Sequence, residues 1–136
     1  MTEADVSALM LWPHTNICTD GGLLDRHPRG AGSFPKVLGR YVRDLGRLSL
    51  EQVIHKMTGL PAAHMGLSQR GNVAEGYVAD LVLFDPATII DRATTQAPHR
   101  LSEGVSDVWV AGKRVLQRGV SNESFSGRIL RRGGAN

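Results

Sequence analysis

The chain has 136 residues, the length of a single domain, and its 41% apolar and 21% charged residues are ordinary globular usage, which excludes wholesale disorder. Sixteen Lys and Arg against thirteen Asp and Glu leave a net charge of +3 with no long block of like charge, so composition gives no sign of a nucleic-acid partner. One cysteine, Cys18, excludes an internal disulfide framework, and no apolar run approaches the roughly 18–20 residues of a membrane span.

The first element is a helix. Thr2 with Asp5 forms a capping-box pattern, Val6, Leu9 and Met10 recur at helical spacing, and Pro13 ends the run. The start of the chain has neither the basic region nor the apolar stretch of a signal peptide. Together with the single cysteine, this gives the expectation of a soluble cytoplasmic protein. Thr15 to Thr19 is short and partly β-branched, the pattern of a buried strand, and it runs into the turn Asp20-Gly21-Gly22. Residues 21–33 read as a glycine-rich, charged loop, with Ser33 as N-cap of the next helix and Pro35 in its first turn.

Phe34, Val37, Leu38, Tyr41, Val42 and Leu45 trace one face of an amphipathic helix that stops at Gly46. Ser49 with Gln52 is a capping box for a second helix carrying Leu50, Val53, Ile54 and Met57. A short third turn from Pro61 to Met65 ends at Gly66. Beyond Gly71 the period changes. Leu81-Val82-Leu83-Phe84 is an apolar run of strand length closed by Asp85-Pro86, and residues 87–104 are polar and irregular. Val108 to Val110 and Val115-Leu116 flank Ala111-Gly112-Lys113, a hairpin signal. Trp109, Tyr77, Phe84 and Phe125 read as core, and residues 128–136 as a frayed, solvated basic tail. The organisation is therefore one strand–helix unit, a helix pair and three strands. A parallel strand needs a sheet covered on both faces, which one such unit cannot make, so the chain reads as a piece of something larger.

Asp20 is the leading candidate for chemistry. A carboxylate at the carboxyl end of a buried strand, followed by glycines, sits where parallel-barrel enzymes carry catalytic groups. The competing reading is a turn aspartate capping its own loop. Arg29 is the second candidate, because its guanidinium fork can hold a carboxylate by two parallel charge-assisted bonds, although without further context a solvated loop arginine is the commoner reading. His27, His55, His64, His14 and His99 show no metal-ligand spacing. Cys18 reads as a small buried apolar residue.

Four blocks carry a resemblance. They are Thr19-Asp20-Gly21; His27-Pro28-Arg29 with Gly32-Ser33-Phe34-Pro35-Lys36-Val37-Leu38-Gly39; His55-Lys56-Met57-Thr58-Gly59-Leu60-Pro61-Ala62; and Ala79-Asp80 with the strand closed by Asp85-Pro86. In this order they resemble the carboxyl-terminal part of the N-acyl-D-amino-acid deacylases, the D-aminoacylases of the metal-dependent amidohydrolase superfamily. The resemblance implies an α/β fragment. Residues 1–70 would be the last strand–helix unit of an eight-stranded barrel with a helix pair. Residues 71–127 would be carboxyl-terminal strands of the accessory β-sandwich. It implies that Asp20 takes a proton from a zinc-bound water and returns one to the leaving amine, and that Arg29 grips the substrate carboxylate. The family's zinc ligands, a cysteine and histidines, lie on earlier strands, and Cys18 does not hold a ligand position. The expectation is zinc in the complete enzyme, none held by this chain alone, and no catalysis without the rest. The alternative is an association module that docks onto an amino-terminal barrel half or pairs with itself, since an unpaired edge strand invites association.

Overall fold

The computed structural model describes residues 2–22 and 26–132. Helix α1 spans Glu3–Leu11, and its Thr2–Asp5 capping box forms in both directions as the sequence requires. Helix α2 spans Arg29–Lys36 and continues without a break into a π-helix, Val37–Asp44. Helices α3 (Leu50–Met57) and α4 (Gly59–Met65) follow, α3 under the Ser49–Gln52 capping box and α4 closed by Gly66 in the left-handed conformation. Strands β1 (Leu81–Phe84), β2 (Val105–Val110), β3 (Lys113–Gln117) and β4 (Val120–Ser121) form one antiparallel meander in the order β1-β2-β3-β4. The expected hairpin turns at Ala111-Gly112, both at positive φ, as two-residue turns between twisted strands require. The short β4 is an addition that the sequence reading lacked.

Two expectations fail at the start of α2. The helix begins four residues before Ser33, whose hydroxyl donates back to the Arg29 carbonyl at 2.8 Å instead of capping. Pro35 therefore lies inside a helix. It has no N–H for the Ala31 carbonyl one turn earlier. That carbonyl accepts the Ser102 hydroxyl at 3.3 Å. Downstream the winding widens, and the Leu45 N–H reaches the Arg40 carbonyl five residues back at 2.9 Å.

The expected strand at 15–19 is extended chain outside any ladder. Buried backbone must still find partners, and Lys56 on α3 supplies them. Its carbonyl accepts the Ile17 N–H at 3.0 Å, and its ammonium donates to the carbonyls of Trp12 at 2.5 Å and Thr15 at 3.3 Å. Lys56 is only 5% exposed. Ile17 is buried with it, whereas Cys18 faces out, contrary to the buried role expected of it.

The core joins Met10, Ile17, Val37, Leu38, Tyr41, Leu48, Val53 and Ile89. Ile89, in the stretch read as irregular, is 1% exposed. It is threaded between two glycines: a Cβ on Gly39 would lie 2.6 Å from the Ile89 carbonyl oxygen, and one on Gly104 2.4 Å from the Ile89 Cα. Arg43 ties the same carbonyl to the π-helix at 2.6 Å. Phe84 and Val105 pack against this core from the sheet. Phe125, expected inside, is 98% exposed, and Tyr77 is also exposed. Along β1, Leu81, Val82 and Leu83 are exposed too. The tail does not fray at once. Ser126 donates to the Val110 carbonyl at 2.8 Å, and Arg132 lies beside Gly66; residues 133–136 fall outside the described residues.

Ile89→Ala should cost about 2–5 kcal/mol, read from urea unfolding, because it empties the seam between helices and sheet. Acid should weaken the same region. The Ala87 N–H and the Thr88 hydroxyl hold the Asp85 carboxyl below its usual range, and the Arg92 guanidinium does the same for Glu103. Both groups therefore stabilise the fold above their unfolded values of about 3.9–4.3. That contribution disappears as pH falls through the lowered folded values. An acid unfolding midpoint that moves upward in Asp85→Asn would check it.

Candidate active-site loop at Asp20 and Arg29

Asp20 ends the extended segment fastened by Lys56, and its own φ of +49° turns the chain into Gly21. Aspartate is one of the few residues that tolerate this region. The turn is pinned to α2 by Thr19, whose hydroxyl donates to the carbonyl of Arg29 at 2.7 Å and lies 3.1 Å from that of Gly30. Gly21 has to be glycine here: an added Cβ would stand 2.6 Å from the Gly30 Cα. The backbones of the loop and of the first turn of α2 are thus in direct contact.

This contact brings the two sequence candidates together. An Arg29 terminal guanidinium nitrogen lies 3.2 Å from an Asp20 carboxylate oxygen, with side chains 48% and 74% exposed. An ion pair this open is worth no more than about 1 kcal/mol. It therefore orients both groups without locking them together. The Arg29 N–H donates to His27 Nδ1 at 3.1 Å, which leaves the ring proton of a neutral His27 on Nε2. The exposed carboxylate can exchange protons with water, and the half-exposed guanidinium can receive an incoming carboxylate.

Beside the pair lies a cleft of about 480 Å³, with Gly21, Gly30 and His27 on one side and Pro98, His99 and Leu101 on the other. The sequence reading did not foresee this second wall. Asp20 and Arg29 line neither this cleft nor a larger, mostly apolar groove of about 630 Å³ between α3 and β1. Of the other histidines, His64 pairs through Nδ1 with the Asn16 amide at 3.0 Å, and His55 sits against Gly59 on the far helices. Asp80, in the Ala-Asp pattern, is structural: it accepts the Ala111 N–H at 2.8 Å and an ion pair from Arg70.

The extended segment ending at Asp20, the helices after it and the antiparallel meander run in the order given above. The chain belongs to the amidohydrolase family, whose family model matches residues 14–116. Within that family it is similar to D-aminoacylase from Alcaligenes xylosoxydans xylosoxydans, with 46% identity over 134 residues, which is 97% of this chain and 28% of the relative. The solved D-aminoacylase with a binuclear metal center superposes at a TM-score of 0.93, with 46% identity over 97% of this chain and 28% of that one. N-acyl-D-glutamate deacylase from Bordetella bronchiseptica, complexed with zinc and a phosphonate inhibitor that mimics the tetrahedral intermediate, matches at 0.82, with 44% identity over 85% of this chain and 25% of that one. The chain spans little more than a quarter of these relatives. Among the described residues, no three His, Cys, Asp or Glu side chains gather closely enough to hold a metal ion.

Gly21→Ala should force the loop off α2. The expected result is loss of the Thr19 hydroxyl bonds and a changed Arg29 amide environment in NMR spectra, with the helical circular dichroism retained.

Proposed function

We propose that this chain is the carboxyl-terminal part of a zinc-dependent N-acyl-D-amino-acid deacylase, with Asp20 as the proton-transfer group and Arg29 as the clamp for the substrate's free carboxylate. The supporting observation is the open Asp20–Arg29 pair at 3.2 Å, in a chain 46% identical to D-aminoacylase. The complete reaction adds water across the amide carbonyl. Asp20 accepts a proton from the water as it attacks, then gives one to the amide nitrogen as the carbon–nitrogen bond breaks. The products are a carboxylate and a D-amino acid. The weak ion pair suits both roles, since a substrate carboxylate can take over Arg29 at little cost and leave Asp20 to the reacting atoms.

In this reading, residues 1–70 are the last strand–helix portion of a barrel, residues 71–127 are strands of an accessory sandwich, and residues 128–136 are a tail. The zinc belongs to residues in the part of the relatives that this chain does not span. The 136 residues alone turn over no substrate. The single cysteine fits a cytoplasmic setting. No helix among the described residues is long and apolar enough to cross a membrane, and neither a membrane nor a nucleic-acid partner enters this reading.

A second reading is favoured by the exposed apolar β1 and the groove beside it. It makes the chain an association module for an amino-terminal half or for a second copy.

Mixing experiments test both readings. The chain alone should release no amine from N-acetyl-D-amino acids, and adding the missing three quarters of D-aminoacylase should restore release. Asp20→Asn should lower the restored rate by about 10²–10⁴-fold, while Arg29→Met should act mainly on KM. Hydrolysis by the isolated chain that disappears in Asp20→Asn would overturn the claim of inactivity. A stable monomer in light scattering would remove self-pairing.

A further inference from the structure

The chain has three lysines, and they are not alike. Lys36 and Lys113 are exposed, whereas Lys56 is 5% exposed. Lys56 lies in the last turn of α3. Carbonyls in that turn have no partner within their helix, and the partial negative charge of a helix end favours a cation. A lysine placed there offers a free acceptor on its main chain and a donor on its side chain. Both go to the same stretch of chain. The Lys56 carbonyl accepts the Ile17 N–H at 3.0 Å, and its ammonium donates to the carbonyls of Trp12 at 2.5 Å and Thr15 at 3.3 Å.

Trp12 is the C-cap of α1, a helix with no basic residue in its last turn. The ammonium therefore stands between the carboxyl ends of two helices, α1 and α3. Among the described residues it has no carboxylate partner, so its charge is met by carbonyl dipoles. An apolar side chain could fill the same volume but would give these carbonyls no donor. Downstream, only Cys18 and Thr19 separate Ile17 from Asp20, and Cys18 is exposed. Asp20 thus has the Lys56 clamp behind it and the Thr19 hydroxyl bond to α2 beside it. Arg29 stands on α2 itself, outside the clamped segment. One further tie touches that segment, the Asn16 amide on His64 at 3.0 Å, but it grips an exposed side chain and not the main chain.

We propose that Lys56 is a positioning residue for proton transfer: its ammonium holds the main chain at Trp12 and Thr15 so that Asp20 arrives in register beside Arg29. This rests on the proposed role of Asp20. Displacing a reacting group by about 1 Å costs about 10²-fold in rate. The loss falls on kcat, because the clamp carries Asp20 and not the arginine that receives the substrate carboxylate.

The first test reads geometry in the isotopically labelled chain. Gly21 and Gly30 are in backbone contact, so their α-protons should show a nuclear Overhauser effect. It should vanish in Lys56→Met, with helical circular dichroism retained, and persist in Lys56→Arg, whose guanidinium keeps donors for both carbonyls. In the unaltered chain, an amine-acylating reagent should modify Lys36 and Lys113 well before Lys56. The second test reads rate in the enzyme restored by mixing. Lys56→Met should lower kcat about 10²-fold and leave KM within about twofold, Lys56→Arg should recover most of the loss, and His64→Ala should change neither by more than about twofold. Should Lys56→Met fail to fold, Lys56→Gln, which keeps a shorter donor, replaces it in both tests, with an intermediate fall in kcat expected.

A Gly21–Gly30 contact that survives in folded Lys56→Met, acylation of Lys56 as fast as of the other two lysines, or a wild-type kcat in Lys56→Gln overturns the inference. So does an equal loss of kcat in His64→Ala, which would assign the effect to fastening of the segment in general. If Asp20→Asn leaves the restored rate unchanged, the proposed function falls, while the Gly21–Gly30 contact still decides whether Lys56 places Asp20.

Discussion

Residues 12–17 carry backbone groups that need partners and have no neighbouring strand to provide them, and Lys56 meets that need. One residue of α3 contributes its carbonyl and its ammonium to three points on the approaching segment. A lysine this deeply buried is tolerable because strong acceptors surround its charge. The position of Asp20 follows from this fastening. With the segment held against α3, the turn at Thr19–Gly22 is delivered to the start of α2, where contact with Gly30 and the Thr19 hydroxyl bonds complete its placement.

Pro35 has an influence well beyond its own position. Inside a helix it removes one donor, and the wider π-helical winding begins two residues later at Val37. The open Ala31 carbonyl receives Ser102 and so draws in the loop that walls the cleft. The π-helical stretch places Gly39 and Arg43 against the Ile89 carbonyl, where helices and sheet meet.

The molecule's surface is divided in character. Around Asp20 and Arg29 it is polar and open, with side chains 74% and 48% exposed. Around β1 it is apolar, with Val82 58% exposed beside the groove against α3. Apolar surface of this kind on a strand edge is what a larger assembly would cover, in keeping with a chain that spans 28% of the D-aminoacylase it resembles.

Local chemistry was legible in the sequence. Both capping boxes, the Gly66 stop, the Asp85-Pro86 closure and the Ala111-Gly112 hairpin are set by residues within a few positions of one another, and each formed as read. Asp20 and Arg29 could be named as candidates because strand-end carboxylates and forked guanidinium groups carry recognisable chemistry. Their pairing could not be read, since it depends on a glycine-to-glycine contact between segments that the sequence shows only as loop. The same limit explains the misplaced start of α2, the extended chain at 15–19, exposed Cys18 and Phe125, and buried Ile89. Periodicity reports which side of an element is apolar, but not whether another element arrives to cover it or to complete its hydrogen bonds. Tertiary structure decided those matters, because partners dozens of residues apart, Lys56 for Thr15 and Ser102 for Ala31, satisfy the groups that local sequence leaves open.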